Sequence, residues 1–399
     1  MKNRIRGLVV SGSLGVGGAE IQLAKLLPRL NRNLFEMQVV YYSHPDGYPK
    51  KWLEEGGIPV TFLRGEHWNR WRYLATATDF MKKNRFDLVH AFLDSSNHYG
   101  RIPAILAGVP VIIGGLQGKK GLEGGWPTLY SLMNLRCAGW IVNSRMLKNW
   151  AEEKMFFMDR SPVSIVRNGL EFGDEAIRFK PNERTFYDEL KSGRPVIGIV
   201  GRLHPVKNHL LFVETAHLLT QAGVEADYWI IGEGEMRPAI EERIRHHGLE
   251  ERVKLLGLRQ DVDIALSRMA VAVLTSDSES CPNALLEAMR ASLPVVSTHC
   301  TTLDEIIQEG ENGFVVPVGA AAALADKVAQ ILADPEKRRG MGLLSRKIVE
   351  SRFSMAAAVK DLENAYIFFL QRQSRRYPEL HEKLKFWGFS PVTDRSGPA

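Results

Sequence analysis

Residues 276–298 read SDSESCPNALLEAMRASLPVVST. The stretch passes from a strand end through a loop into a helix, Asn283–Arg290, and on to a second apolar strand at Pro294–Val296. Pro282 suits a first helical turn and Ser280 suits a cap. That is one βα repeat, and the residues on either side continue it. Upstream the same rhythm gives strands at Pro195–Val200, Ala226–Ile231, Val253–Leu255 and Val271–Leu274. Helical patterns alternate with them at Asn208–Thr220, Met236–His246 and Asp261–Leu266, and two more follow at Ala320–Leu332 and Lys337–Ser351. Alternating strands and helices form parallel sheets covered on both faces.

The front half repeats the architecture without repeating the sequence. Strand patterns fall at Arg6–Val10, Met37–Tyr42, Pro59–Leu63, Leu88–Phe92, Val109–Ile113 and Trp140–Val142, and helical ones at Ala19–Leu30, Arg72–Lys83 and Gly100–Leu106. Residues 171–194 are polar and aperiodic, so a linker is expected there. The expected organisation is a front domain over 1–178, a back domain over 190–352, a helix over 353–373 and a tail over 374–399 that is at best partly ordered. At 399 residues two domains are the better expectation. Two doubly wound domains on a short linker leave a cleft, and ligands in such sheets lie beyond the carboxyl ends of the strands.

The composition fits this picture. Apolar residues make up 45% and charged residues 25%, and three cysteines lack metal-ligand spacing. No apolar run approaches the length of a membrane span or a signal segment, so a cytoplasmic protein is expected. Residues 1–180 carry 25 Lys+Arg against 16 Asp+Glu, a net +9, and the remainder carries 27 against 30, a net −3. A basic front half suits an anionic partner or surface as well as a merely solvated face. No nucleic-acid motif accompanies the charge, so no nucleic-acid partner is expected.

Three loops after strands carry the chemistry. SGSLGVGGAE, Ser11–Glu20, is Gly-rich and opens a helix whose N-terminus suits an anion. Its spacing is not that of the dinucleotide fingerprint, and no acid ends the second strand, which argues against a nicotinamide cofactor. GRLHPVKNH, Gly201–His209, places Arg202 and Lys207 around Pro205, where both cations can converge on one pyrophosphate. The opening stretch puts Glu279 in a loop and Glu287 one turn inside the helix behind it. Carboxylates without a metal pattern suit the hydroxyls of a sugar and a ribose. Two arbitrary glutamates would more often be solvated.

Taken together these loops resemble the retaining glycosyltransferases of the GT4 type, which have the GT-B fold. GGAE (17–20), RNGLEF (167–172), GRLHPVKNH (201–209), IIGEGEMR (230–237), LLGLRQDV (255–262), ESCPNALLEAM (279–289) and NGFVVP (312–317) come in the family's order. The resemblance implies an α/β fold of two Rossmann-like domains facing across a cleft, with a C-terminal helix crossing back to the first. It implies a nucleotide-diphosphate sugar as donor, UDP being the favoured base, and no required cofactor or metal. Arg202 and Lys207 would hold the diphosphate, Glu279 the donor sugar and Glu287 the ribose. Cys281, Asn283, Ala284 and Leu285 would lie near the donor, and Gly232, Leu258 and Arg259 would line the base pocket. Gly17 and Gly18 would approach the phosphates. The acceptor would be a glycan or lipid-linked glycan hydroxyl in surface polysaccharide or glycoconjugate synthesis.

The chain also departs from the family pattern. GGLQGKKG (114–121) lacks the histidine or arginine that many relatives carry near the acceptor, which leaves His90, Gln117, Lys119 and Lys120 as acceptor-side candidates. Thr301-Thr302 stands where relatives often have two glycines. Ser292 replaces a common glycine, and no consequence is expected. Asp261-Val262-Asp263 is read as a helix cap rather than a metal motif. HWNRWRYL (67–74) mixes Trp and Arg in a way that suits a lipid headgroup, so peripheral attachment at the inner membrane face fits, as does a helix end docked on its own sheet. The alternatives to the transferase reading are an epimerase-like enzyme of the same fold and a non-catalytic glycan or nucleotide-sugar binder.

Overall fold

The computed structural model describes residues 3–15, 17–43, 46–63, 69–94, 96–118, 131–155, 161–172, 186–188, 190, 192–259, 261–279, 281–301, 303 and 305–392. Lys119, Lys120, His67, Trp68, Ser280, Thr302 and most of 171–194 lie outside them. Two compact units are present, Met1–Gly169 with Met355–Ala399, and Leu170–Ser354.

The first unit holds seven strands: β1 Ile5–Ser11, β2 Phe35–Tyr41, β3 Val60–Phe62, β4 Leu88–Ala91, β5 Val111–Leu116, β6 Gly139–Val142 and β7 Val163–Ile165. Their order is β3-β2-β1-β4-β5-β6-β7, all parallel. The second unit holds β8 Val196–Val200, β9 Asp227–Ile231, β10 Val253–Gly257, β11 Val271–Leu274, β12 Val295–Thr298 and β13 Gly313–Val316. These pair in parallel in the order β10-β9-β8-β11-β12-β13. Both sheets are therefore doubly wound. The strand order reverses between β1 and β4 in one and between β8 and β11 in the other, and binding loops gather at such points.

The strands are short and almost wholly apolar because both of their faces are covered. β4 to β6 and β11 to β12 are buried at every residue. Val163–Ile165 and Gly313–Val316 were not among the expected strands. Each has three or four residues, too few for periodicity to separate from a loop.

The helix Met355–Ser374 belongs to the first unit. Its buried stripe of Ala358, Leu362, Ala365, Tyr366, Phe369 and Leu370 joins the core that contains Ile5, Val9 and Leu23. Each large apolar side chain buried there adds roughly 1.5–3 kcal/mol. The tail beyond it, described to residue 392, adds to that core. Pro378–Phe386 is a helix whose Leu380 and Leu384 enter the same core, and Trp387 Nε1 donates to the Asn3 carbonyl at 3.0 Å. Its apolar residues fall at helical spacing, a signal that the charged surroundings obscured.

Candidate functional site

The site in the second unit is built where its sheet reverses order. The loop after β8 and the loop after β11 are tied together by backbone and side-chain bonds. Asp277 N–H donates to the Val206 carbonyl at 2.9 Å, and Thr275 Oγ1 donates to the Lys207 carbonyl at 2.8 Å. Asn208 adds a third tie through Nδ2 to Asp277 Oδ1 at 2.9 Å. Asn208 has φ of 49°, a left-handed conformation that asparagine tolerates, and its Oδ1 caps the helix His209–Gln221 by accepting from Leu211 N–H at 3.3 Å. The short 3₁₀ turn Pro205–Lys207 places the lysine at the loop's end, with His204 Nδ1 accepting from Val206 N–H at 3.2 Å.

This loop geometry brings Lys207 and Glu279 into an ion pair. The Glu279 carboxylate also accepts from Ser276 Oγ at 2.7 Å, and its N–H donates to the Cys300 carbonyl at 3.0 Å. The pair is mostly buried, with Lys207 28% and Glu279 11% exposed. Arg202, on the same loop as Lys207, is exposed. Glu287 lies half-buried one turn into the helix Asn283–Arg290, whose N-terminus is at Pro282.

The third element is the loop after β9. Gly232 has φ of 144°, and a Cβ there would collide with the Gly201 carbonyl oxygen. Only glycine lets this loop lie against the loop that carries Arg202 and Lys207. The bonds Gly201 N–H to Ile231 O, Leu203 N–H to Glu233 O and Gly232 N–H to Gly257 O, each 2.9 Å, fix the three strand ends in one layer. Leu258 is 75% exposed.

Several expectations are corrected by the geometry. The Asn283 N–H donates to the Cys281 carbonyl at 3.0 Å, and those of Leu285 and Leu286 donate to Pro282 O at 2.9 and 3.1 Å. The backbone donors of Asn283 and Leu285 are thus engaged within the turn, and the Leu285 side chain is buried in the core. Pro282 is the capping residue rather than the first helical one, because its ψ of 77° is not helical. Asp261 precedes the helix Val262–Ser267 but makes no side-chain cap. Its carboxylate instead takes both arms of the Arg259 guanidinium and the Tyr187 hydroxyl at 2.9 Å. These bonds outweigh the upward push of burial and hold Asp261 below the usual carboxylate range. Asp263 pairs with Arg290. The Arg259 side chain, stacked over Phe186 at 4.6 Å, is thereby committed to its own neighbourhood. Ser292 has φ of 62°, so the glycine that it replaces was suited to the backbone there.

The first-unit candidates do not come together as one set. His90 is buried in β4, its Nδ1 2.9 Å from the Tyr366 hydroxyl, and burial pushes its pKa down to about 3. It is a neutral core histidine and meets no acceptor. Gln117 is half-buried at the end of β5, with Oε1 accepting from Asn143 Nδ2 at 2.9 Å. Lys119 lies outside the described residues. Gly17 caps the helix Gly18–Leu26 in an extended conformation, φ −126°, so its role is space rather than positive φ. A Cβ at Gly17 would strike the Glu20 carboxyl, which burial raises above its usual range while Ser13 Oγ donates to it at 3.3 Å.

Sequence reasoning missed Ser276 and His209. His209 is 2% exposed, and neither ring nitrogen has a hydrogen-bond partner. Burial, aided by the charge of Lys207, lowers its pKa to about 4. A histidine opening a helix gives no sign in sequence of which way it turns. Among the described residues no three His, Cys, Asp or Glu side chains converge as a metal site would require.

Comparison with known proteins agrees with this fold. The profile of "Glycosyltransferase Family 4" matches residues 16–172, and that of "Glycosyl transferases group 1" matches residues 194–334. The chain is 27% identical over 299 residues to an alpha-D-kanosaminyltransferase of Streptomyces kanamyceticus, covering 70% of this chain and 76% of that one. It is 25% identical over 305 residues to the UDP-Gal:alpha-D-GlcNAc-diphosphoundecaprenol alpha-1,3-galactosyltransferase of Escherichia coli, covering 72% and 76%. Among solved structures, Anabaena Alr3699/HepE in complex with UDP and glucose superposes with a TM-score of 0.77 at 20% identity, over 90% of this chain and 98% of that one. A glycosyltransferase from Rickettsia africae ESF-5 gives 0.76 at 19% identity, over 92% and 99%. With both profiles matched in order, two doubly wound sheets and the loop motifs gathered at a strand-order reversal, the chain belongs to the GT4-type glycosyltransferases of the GT-B fold.

Proposed function

We propose that this glycosyltransferase moves a sugar from a UDP-sugar to a hydroxyl of a glycan or lipid-linked glycan, with retention of configuration and without a metal, in polysaccharide or glycoconjugate synthesis. The observation that carries the reading is the Lys207–Glu279 pair, where the loops after β8 and β11 meet. Lys207 supplies positive charge for the diphosphate as it departs, with Arg202 as a second cation. Glu279 accepts hydroxyls of the donor sugar, and Glu287 those of the ribose. Retention then follows from attack on the face that the phosphate leaves, with the phosphate taking the acceptor's proton. No carboxylate nucleophile is required, in contrast to retaining glycosidases. The E. coli relative's name specifies a UDP-sugar and a lipid-linked acceptor, and the HepE structure holds UDP, which favours uridine over other bases. Exposed Arg70, Trp71 and Arg72 at the start of one helix suit a headgroup surface near such an acceptor at the cytoplasmic face. Among the described residues no helix is long and apolar enough to cross a membrane.

The test is a thermal-shift panel with UDP, GDP, ADP, TDP and NAD, in EDTA and then in Mg²⁺. A ligand at 100 times its dissociation constant adds about 2.7 kcal/mol. A shift with UDP in EDTA is expected. A flat panel, or a response to NAD alone, overturns the reading.

A further inference from the structure

The loop after β12 holds a polar side chain to which the donor site above gives no role. β11 and β12 are parallel neighbours, so the loops that follow them leave the sheet side by side. Thr298 Oγ1 donates to the Ser276 carbonyl at 2.6 Å, and Glu279 N–H donates to the Cys300 carbonyl at 3.0 Å. These bonds tie the start of one loop to the loop that carries Glu279. The residue after Cys300 is Thr301. It is 8% exposed, and its Oγ1 is buried with no hydrogen-bond partner. Among the described residues the non-glycine positions with positive φ are Arg85, Asn208 and Ser292, so Thr301 sits outside the left-handed region. The backbone at 301 therefore does not require the glycine that relatives often carry, and the threonine adds a hydroxyl there without conformational strain.

The carboxylate on the neighbouring loop is engaged through one oxygen. Lys207 Nζ and Ser276 Oγ both donate to Glu279 Oε1, and among the described residues Oε2 takes no hydrogen bond. Two bonds to one oxygen orient the carboxylate and leave the other oxygen as an acceptor. A carboxylate only accepts, whereas a threonine hydroxyl both donates and accepts. Two such groups on loops tied together match two adjacent hydroxyls of a sugar. One hydroxyl donates to Glu279 Oε2, and its neighbour bonds Thr301 Oγ1. A buried hydroxyl without a partner is costly, and a bound hydroxyl removes that cost. A sugar that lacks the hydroxyl leaves the cost in place, which is how a site built to hydrogen-bond one substrate rejects its analogue.

We propose that Thr301 is a specificity-determining residue for the donor sugar: its hydroxyl bonds one sugar hydroxyl while Glu279 Oε2 takes the adjacent one, so that UDP-hexoses keeping both are selected. The inference rests on the transferase reading above and goes further by naming a residue that chooses among donors.

The experiment is calorimetry on the full chain with UDP, UDP-glucose, UDP-galactose and UDP-N-acetylglucosamine, and then with the 2-, 3- and 4-deoxy analogues of whichever of these sugars binds best. Thr301→Val keeps the shape and removes the hydroxyl. It should weaken the best-bound UDP-sugar by roughly fivefold or more, the loss of one net hydrogen bond, and leave UDP within about twofold of wild type. Thr301→Ser keeps the hydroxyl and should bind that UDP-sugar within about twofold of wild type. One deoxy analogue should bind wild type more weakly than its parent, and Thr301→Val should erase that difference. A packing role would instead shift UDP and UDP-sugar together and would not separate valine from serine. Where Thr301→Val fails to fold, Thr301→Ala takes its place with the same expectation. The proposal is overturned if Thr301→Val binds the UDP-sugar as wild type does, if valine and serine weaken it alike, or if every deoxy analogue keeps its deficit in Thr301→Val. A wild-type chain that does not bind UDP overturns the transferase reading itself, which separates the two failures.

Discussion

Replacing Lys207 and Glu279 one at a time should move nucleotide affinity in opposite directions, and the reason lies in how the two are paired. The Lys207 ammonium has three N–H donors. One is spent on Glu279, whose carboxylate also holds Ser276 Oγ at 2.7 Å. Two remain for a diphosphate, so the ion pair and the phosphate can share the lysine. A charge-assisted hydrogen bond is worth about 1.5–3 kcal/mol net. Lys207→Met should therefore weaken UDP by roughly 10- to 150-fold, at about 1.4 kcal/mol per tenfold. Glu279→Gln has the reverse electrostatics. It keeps a hydrogen-bonding group of the same shape but removes a negative charge from the surroundings of a second anion, a repulsion of about 1 kcal/mol at contact distance even at the dielectric of bulk water. UDP should bind Glu279→Gln as tightly as wild type or several-fold more tightly. Turnover of the UDP-sugar should nevertheless fall by at least tenfold, because the carboxylate that orients the donor sugar is gone. Isothermal titration with UDP and steady-state UDP release measure the two effects separately. Equal weakening of UDP by both substitutions would refute the division of labour between the lysine and the glutamate.

Three further outcomes are expected. Glu287→Ala should weaken UDP about tenfold or more whichever sugar the donor carries, since it addresses the ribose, and an unchanged titration curve would remove that assignment. Ser292→Gly should raise stability by about 0.5–1 kcal/mol, measured by urea unfolding, because Ser292 occupies the left-handed region with φ of 62°. Acid should destabilise the first unit through His90. Its folded pKa of about 3 lies below the unfolded value near 6.5, so the unfolded chain binds more protons between these values. The stability that neutral His90 permits is present above pH 6.5 and is lost as pH falls toward 3. The loss from pH 7 to pH 5 is about 2 kcal/mol, and His90→Gln should flatten it in denaturation curves taken at the two pH values.

What sequence made legible was whatever depends on local pattern. Alternating apolar strands and amphipathic helices gave the doubly wound class, since each element reports its own burial. The loop after β8 was readable because Asn208 marks a helix start and Pro205 a turn, which fixes where Lys207 must lie. The pairing of Lys207 with Glu279 was not readable, because it depends on β8 and β11 being neighbours across a strand-order reversal, a fact of topology. Leu285 and the Asn283 N–H were misjudged because a helix N-terminus looks open in sequence, whereas here Cys281 and Pro282 accept its first donors.

The same reasoning explains why Asp261 and His90 each drew a reading that the fold overrides. Asp261 lies at a helix start and His90 near the end of its strand, where polar side chains ordinarily meet solvent or a ligand. A tertiary partner intervenes in each case. Tyr187 and Arg259 reach Asp261 before its own helix can use it as a cap, and Tyr366 comes from 276 residues away to fill the position beside His90.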